Sequence, residues 1–447
     1  MDTLTRLRAG QLTGTVRLDL SCDLTELPPE VFALADTLEV LNLSGNRLRD
    51  LPELSRLHRL KVLFCSDNAF TEVPEHLGTH PSLHMVGFKS NRIRHVPSSA
   101  LSPMLRWLIL TDNEIDTLPD SIGQCAGLEK VALAGNRLRT LPESMAACRQ
   151  LGLLRISANA LTALPDWLLT LPRLAWLAYG GNPCEATPPS TAQAWPEIPW
   201  SALSLGALLG EGASGHIHAA TWQRADANRS SVASEAVAVK LFKGALTSDG
   251  LPDQEMQACL TAGAHPHLIP VHGVLHGHPQ GRQGLVMPQL DAQWRVLAGP
   301  PSLSTCTRDV YAPDARWSTD TAWRMVQGIA AATAHLHARG VLHGDLYAHN
   351  ILWRPDGRAL LGDFGAASLL PTDTVQRTPR LALQSMDTLA FGHLLAELLQ
   401  RVDAADHADP RFAALAQWQA RCTNPDPKNR PLMRELAQAT VRPAGST

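Results

Sequence analysis

Seven asparagines, Asn46, Asn68, Asn91, Asn113, Asn136, Asn159 and Asn182, recur about every 23 residues through the first half of this chain. Each closes the same kind of phrase: LEVLNLSGNRLRDLP, LKVLFCSDNAFTEVP, LHMVGFKSNRIRHVP, LRWLILTDNEIDTLP, LEKVALAGNRLRTLP, LGLLRISANALTALP and a truncated LAWLAYGGNPC. A segment this short cannot bury its own leucines. Copies must therefore stack, each inward leucine meeting its counterpart one turn away, so that several repeats share one core. The asparagine has a structural task in such a stack, since its amide can satisfy backbone groups in the tight turn after each short strand. VRLDLSCDLTELP, from Val16, reads as a shortened first copy, one residue tighter, that belongs to an N-terminal cap.

The pattern resembles a leucine-rich repeat solenoid. Alternation along each short strand turns the variable positions to the concave surface. Counting back from the asparagines, these include Phe64, Lys89, Arg106, Trp107, Ile109, Lys130, Arg155 and Trp176. Aromatic residues flanked by arginine and lysine suit a protein-binding surface, so a protein partner or substrate is expected on Phe64, Arg106, Trp107, Ile109, Arg155 and Trp176. The other reading packs Trp107 and Trp176 against the ends of the stack or the neighbouring domain. The repeat stops at Asn182, and the proline-rich CEATPPSTAQAWPEIPW that follows suits an extended linker or a cap. The expected domains are residues 1–184, a linker or cap at 185–200, and a second domain over 201–442.

Net charge is −3 and the sequence pI about 6.6, which gives no general electrostatic reason to bind nucleic acid or an anionic membrane. The eight cysteines are scattered singly, without zinc-ligand spacing, as buried thiols of a reducing compartment would be. No apolar run reaches the ~18 residues that would span a bilayer, so a soluble cytoplasmic protein is expected.

The second half carries chemistry. Gly210, Gly212 and Gly215 are followed by Ile217, and glycines let a turn lie over phosphate oxygens where side chains would hold the backbone away. The alternating strand VAVK ends in Lys240, and HGDLYAHN precedes a GDFG that ends at Gly365. In that order the set resembles the eukaryotic-type protein kinase family from about Ser201 to Arg442. The resemblance implies a bilobal α+β kinase-like fold after the α/β solenoid, with ATP and Mg2+ as cofactors. Lys240 would neutralise the α and β phosphates and be oriented by Glu255, with Asp253 as the fallback. Met287 would be the gatekeeper, Pro288 and Leu290 would offer hinge backbone groups, and Ile217, Ala238 and Leu352 would sandwich the adenine. Asp345 would orient the acceptor hydroxyl and take its proton, while Asn350 and Asp363 hold the metal. His343 would brace the loop. The family helix would begin at Asp387 and include Gly392, and Arg430 matches a late arginine motif.

The sequence also departs from the family. Gly344 replaces the arginine that pairs with a phosphorylated activation loop, and Tyr347 replaces the lysine that contacts the transferred phosphate. No Ala-Pro-Glu stands between Asp363 and Asp387, so Arg430 must find another anion or be solvated. The region between Asp387 and Arg430 is also compressed by roughly one helix relative to the family, and this loss and that of Ala-Pro-Glu fall where protein substrates dock, whereas the nucleotide site is complete. A Ser/Thr protein kinase whose repeats recruit a substrate or regulator is the first reading. A nucleotide-binding pseudokinase scaffold and a small-molecule kinase stay open. Unlike plant receptor kinases, which share both modules, this chain has no transmembrane helix between them.

Overall fold

The computed structural model describes residues 2–186, 195–212, 214–225, 232–243, 246–247, 249–371 and 377–441. Linker residues 187–194 and the expected domain end at Arg442 lie outside them. Contacts group the chain into two compact units, Met1–Leu174 with Asn182–Cys184, and Ala175–Gly181 with Glu185–Thr447.

The first unit is built of three-residue strands: β1 (Arg17–Asp19), β2 (Val40–Asn42), β3 (Val62–Phe64), β4 (Met85–Gly87), β5 (Trp107–Ile109), β6 (Lys130–Ala132) and β7 (Leu153–Arg155). Each pairs in parallel with the next, in a register that sets Leu41 beside Leu63 and Leu108 beside Val131. Short 3-10 turns return the chain between most strands, most of them entered through a proline such as Pro74, Pro119 or Pro142, whose fixed φ suits a turn start. Leu41, Leu63, Val131 and Leu154 are fully buried and form the shared core.

The asparagines perform their expected task and also join the repeats. Asn136 donates through Nδ2 to Leu133 O in its own turn and to Leu110 O in the preceding one, both at 2.9 Å, and its Oδ1 accepts from Ile115 N at 3.0 Å. Asn46, Asn68, Asn91, Asn113, Asn159 and Asn182 repeat this bridge at 2.7–3.0 Å. The residue before each asparagine is left-handed, with φ from +52° to +76°, whether it is Gly45, Asp67, Ser90, Asp112, Gly135, Ala158 or Gly181. The Val16 segment supplies β1, paired in register with β2. Helix α1 (Thr3–Arg8), capped by the Asp2 carboxylate on Thr5 N, precedes it and buries Leu7.

Several residues expected on an exposed binding face are covered. Trp107 is 6% exposed, with the Lys130 ammonium 4.7 Å from its ring centroid, and Arg155 is 3% exposed. Phe64, Arg106 and Ile109 are half-buried, and Arg106 is paired with Glu129 at 2.9 Å. Trp176, in β8 (Trp176–Ala178), belongs to the second unit and is 2% exposed. Of the cysteines, Cys22 is exposed and Cys184 half-buried; the other six are buried.

In the second unit a six-stranded sheet has the order β10-β11-β12-β14-β13-β9. Its strands are β9 (Glu197–Pro199), β10 (Leu203–Glu211), β11 (Gly215–Ala225), β12 (Val232–Phe242), β13 (Gly273–His276) and β14 (Gly284–Pro288). The expected linker is therefore not linker throughout: Glu197–Pro199 pairs in parallel with β13, and Ile198 is buried in the sheet core with Val237, Val239 and Val286. Helix α2 (Pro252–Ala262) follows β12. After β15 (Arg295–Val296) come α3 (Thr319–Ala338), β16 (Val341–Leu342), β17 (Ile351–Trp353), β18 (Ala359–Leu361) and β19 (Ser368–Leu369). Helices α4 (Arg377–Leu399), α5 (Pro410–Cys422) and α6 (Met433–Val441) close the unit. Helix α3 buries Ala322, Met325, Val326, Ile329, Thr333 and Leu336, the spacing of one helical face, and delivers the chain to the loop that carries His343 and Asp345. Among the described residues no helix is long and apolar enough to cross a membrane.

Candidate active site

Strand register assembles the upper wall of a cleft of about 370 Å³. In β11 and β12 Ile217 lies opposite Lys240, and in β12 and β14 Ala238 lies opposite Met287. Alternation then turns Ala238 and Lys240 to the same face. Gly212, Gly215, Ile217, Ala238, Lys240, Glu255, Met287, Pro288, Leu290, Asn350, Leu352 and Asp363 all line this cleft. Gly210 does not: it is held in β10 opposite Ile217. The three loop glycines are also unequal. A Cβ on Gly210 or Gly212 would meet nothing within 4 Å, whereas one on Gly215 would lie 2.6 Å from Leu241 O.

Glu255, on the first turn of α2, forms the ion pair with Lys240, so Asp253 is not the partner. Burial is the largest influence on the Lys240 ammonium and opposes its charge, but the Glu255 and Asp363 carboxylates outweigh it and hold its pKa above the ordinary value. Lys240 therefore stays cationic in the cleft.

The catalytic loop is pinned from behind. His343 is fully buried; its Nε2 donates to Gly362 O at 3.0 Å and its Nδ1 accepts from Asp345 N at 3.3 Å, a tautomer fixed by these partners and a bracing role as expected. The Asp387 carboxylate, also fully buried, accepts from His343 N at 2.9 Å, Gly344 N at 3.0 Å and His337 Nε2 at 2.9 Å. Burial would push this carboxyl up, but His337 and the loop donors more than offset it and hold it below the usual range. Asp387 is not at a helix start as the sequence suggested; α4 begins at Arg377.

Asn350 donates through Nδ2 to Asp345 Oδ2 at 2.8 Å and to Asp345 O at 2.9 Å. That leaves its carbonyl oxygen as a donor atom for a cation. Asp363 is exposed to the cleft in a left-handed backbone, φ +55°, with Oδ1 accepting from Gly365 N at 3.1 Å. One carboxylate and one amide oxygen suit a magnesium ion, which keeps waters and takes phosphate oxygens. Among the described residues no group of three or more His, Cys, Asp or Glu could hold a metal ion.

Three features escaped the sequence reading. His349, directly before Asn350, lines the cleft, with Nδ1 2.7 Å from Asp309 Oδ1 and its own N–H donating to Asp309 Oδ2 at 3.0 Å. The only signal was its place beside a motif asparagine; Asp309 lies 40 residues upstream in an irregular segment. Lys243 pins the glycine-rich turn by donating to Glu211 Oε1 at 2.7 Å and Gly212 O at 3.0 Å. Arg430 is not solvated: it is 6% exposed and donates to Asn424 O at 2.9 Å and Ser385 O at 3.3 Å. Burial lowers its pKa to about 10.

Residues 203–387 match the family of protein tyrosine and serine/threonine kinases, and residues 36–93 match leucine-rich repeats. CBL-interacting protein kinase 4 of Oryza sativa subsp. japonica is 30% identical over 181 residues, 40% of this chain and 35% of that protein. The serine/threonine-protein kinase mos of Xenopus laevis is 26% identical over 230 residues, 51% of this chain and 59% of that protein. A second rice protein, whose name places it with the cyclin-dependent kinases, is 29% identical over 225 residues, 43% of this chain and 60% of its own. The chain thus spans 60% or less of the length of these relatives. It combines leucine-rich repeats with a domain of the protein tyrosine and serine/threonine kinase family.

Proposed function

We propose that this chain is an ATP-dependent protein kinase, of the serine/threonine type, whose repeats recruit a protein substrate or regulator. The observation that carries this reading is the formed Lys240–Glu255 ion pair in the same cleft as Asn350 and Asp363, with Asp345 held by Asn350. An enzyme of this kind needs little covalent chemistry of its own and works by position and charge.

Ile217, Ala238 and Leu352 offer apolar contact to the adenine, while Pro288 and Leu290 offer backbone groups at its edge. Lys240, held cationic, draws the α and β phosphates into line. Bound through Asn350 and Asp363, Mg2+ would offset the charge of the phosphates. Asp345 accepts the hydrogen bond of the acceptor hydroxyl and takes its proton as the oxygen attacks the γ-phosphorus of ATP and the bond to the β-phosphate oxygen breaks, releasing ADP. The Asn350 amide on Oδ2 fixes which way that carboxylate faces. On the repeats, the half-buried Phe64, Arg106 and Ile109 are the part of the expected surface still open to a partner.

The test is transfer from radiolabelled ATP with magnesium, to the protein itself and to a generic Ser/Thr protein, by the intact chain and by Asp345→Asn and Asp363→Asn. Labelling by the intact chain and its loss in both folded variants is expected. ATP binding with no transfer at all would overturn the kinase reading in favour of a nucleotide-binding scaffold.

A further inference from the structure

Gly344 stands where the kinase resemblance calls for an arginine, and the second unit shows what fills that space. Its backbone is left-handed, φ +70°, and a Cβ there would lie 2.4 Å from Leu177 O and 2.8 Å from Ala366 O. No side chain fits. The carbonyl of Leu177 belongs to the segment Ala175–Gly181, which lies within the same unit as the catalytic loop.

That segment grips the loop and the strand after Asp363 at several points. Trp176 stacks on Tyr347 with ring centroids 4.3 Å apart and planes 7° from parallel, and its Nε1 donates to Leu346 O at 3.3 Å. Tyr179 donates through its hydroxyl to Leu369 O at 2.8 Å and through its amide to Ser368 Oγ at 3.1 Å. Glu185 accepts from Leu369 N at 2.8 Å through one carboxylate oxygen and from Gly181 N at 2.6 Å through the other. Both backbone groups of Leu369 are thereby used. Strand β19, which Leu369 ends, pairs with β16 directly before His343, so the two segments that carry Asp345 and Asp363 are tied to one brace.

We propose that Trp176, Tyr179 and Glu185 are positioning residues: with the backbone of Ala175–Gly181 they hold the catalytic loop and the strand after Asp363 in the geometry for transfer, and activity needs no phosphate on the intervening segment. The proposal rests on the kinase reading above and adds to it an internal source of order. A fixed contact replaces a switchable one, which is consistent with the loss of the arginine.

The experiment uses the full chain and compares the intact protein, before and after phosphatase treatment, with Trp176→Leu, Tyr179→Phe and Glu185→Gln. Melting temperature and ATP affinity are measured alongside transfer, because the three side chains do not line the nucleotide cleft. Phosphatase is expected to leave the intact protein's rate unchanged. Trp176→Leu and Glu185→Gln are expected to lower kcat by about tenfold or more, as displaced catalytic groups do, with ATP affinity held. Tyr179→Phe, the conservative variant, should lower kcat less and keep the melting temperature. Unchanged kcat in all three variants, a rise in kcat, or loss of intact activity after phosphatase would each overturn the brace, a rise showing it to be a brake. If the intact protein binds ATP but transfers nothing, the kinase reading fails separately, and hydrogen exchange then decides. Faster exchange at residues 343–350 and at Leu369 in the variants supports the brace, and unchanged protection refutes it.

Discussion

In the first unit each turn is closed by its own asparagine, as Asn136 bridges Leu133 and Leu110, and the next turn 23 residues on repeats the device. In the second unit one buried carboxylate, Asp387, takes two backbone N–H groups of the loop that carries Asp345, from residues 44 and 43 positions away in sequence. Both devices satisfy backbone groups that packing hides from water. The difference is redundancy. A stack shares its load among equivalent positions, so the loss of one member is local. A loop that carries the site must present a single geometry, and two of the hydrogen bonds that hold it converge, with a third from His337, on one buried group, so that failure there spreads to everything that group holds.

The largest expected effect follows from that concentration. Asp387→Asn keeps the size of the side chain but removes the charge that three donors converge on. It should cost about 3 kcal/mol or more, as removal of one partner from a buried charged network does, and abolish transfer. Urea unfolding and a radiolabel assay measure both; retention of activity would break the comparison at its centre. The same carboxylate sets an acid limit. Its folded pKa lies below the ordinary 3.8, so the stability it contributes is complete above that value and is lost as pH falls through the folded one. Asp387→Asn should flatten this part of the acid unfolding profile, and an unchanged profile would assign the acid limit to other groups.

Asn136→Ala comes next, at about 2 kcal/mol for three hydrogen bonds in a buried turn. Faster hydrogen exchange should stay within the Leu110–Leu138 region, and spreading across all the repeats would show that the stack is less redundant than its geometry suggests. Within the glycine-rich turn, Gly215→Ala should raise the KM for ATP severalfold because Leu241 O crowds the new carbon, while Gly210→Ala leaves it unchanged. Equal effects at the two positions would show that turn entropy, not crowding, governs the loop. The smallest change is a gain: Ala158 is left-handed at φ +52°, so Ala158→Gly should stabilise the first unit by ~1 kcal/mol in thermal unfolding.

Much of this was legible in the chain. The repeat period fixed the parallel strands and the role of Asn46 through Asn182, because both depend on spacing alone. The resemblance to the protein kinases named Lys240, Asn350 and Asp363 from the order of their motifs, and all three line one cleft. Glu255, named ahead of Asp253 from the kinase resemblance, is the residue that pairs with Lys240. Spacing did less well where exposure mattered. Trp107, Arg155 and Trp176 occupy variable positions of the repeat, and the pattern that identifies such positions carries no information on what covers them.

What the sequence by itself determined was therefore the local grammar: which residues repeat, which can carry charge onto phosphates, and in what order. Tertiary structure alone decided how these were held. It gave Arg430 the carbonyls of Asn424 and Ser385, set Asp309 behind His349, drew Glu197–Pro199 into a sheet, and put Leu177 O where a Gly344 side chain would have been. Apart from the short reach to Asn424 O, each of these is a contact between residues distant in sequence, or a space emptied by one. Such contacts are selected by the packing of the whole unit, since a buried polar group takes whichever partner the fold brings within 3 Å or so.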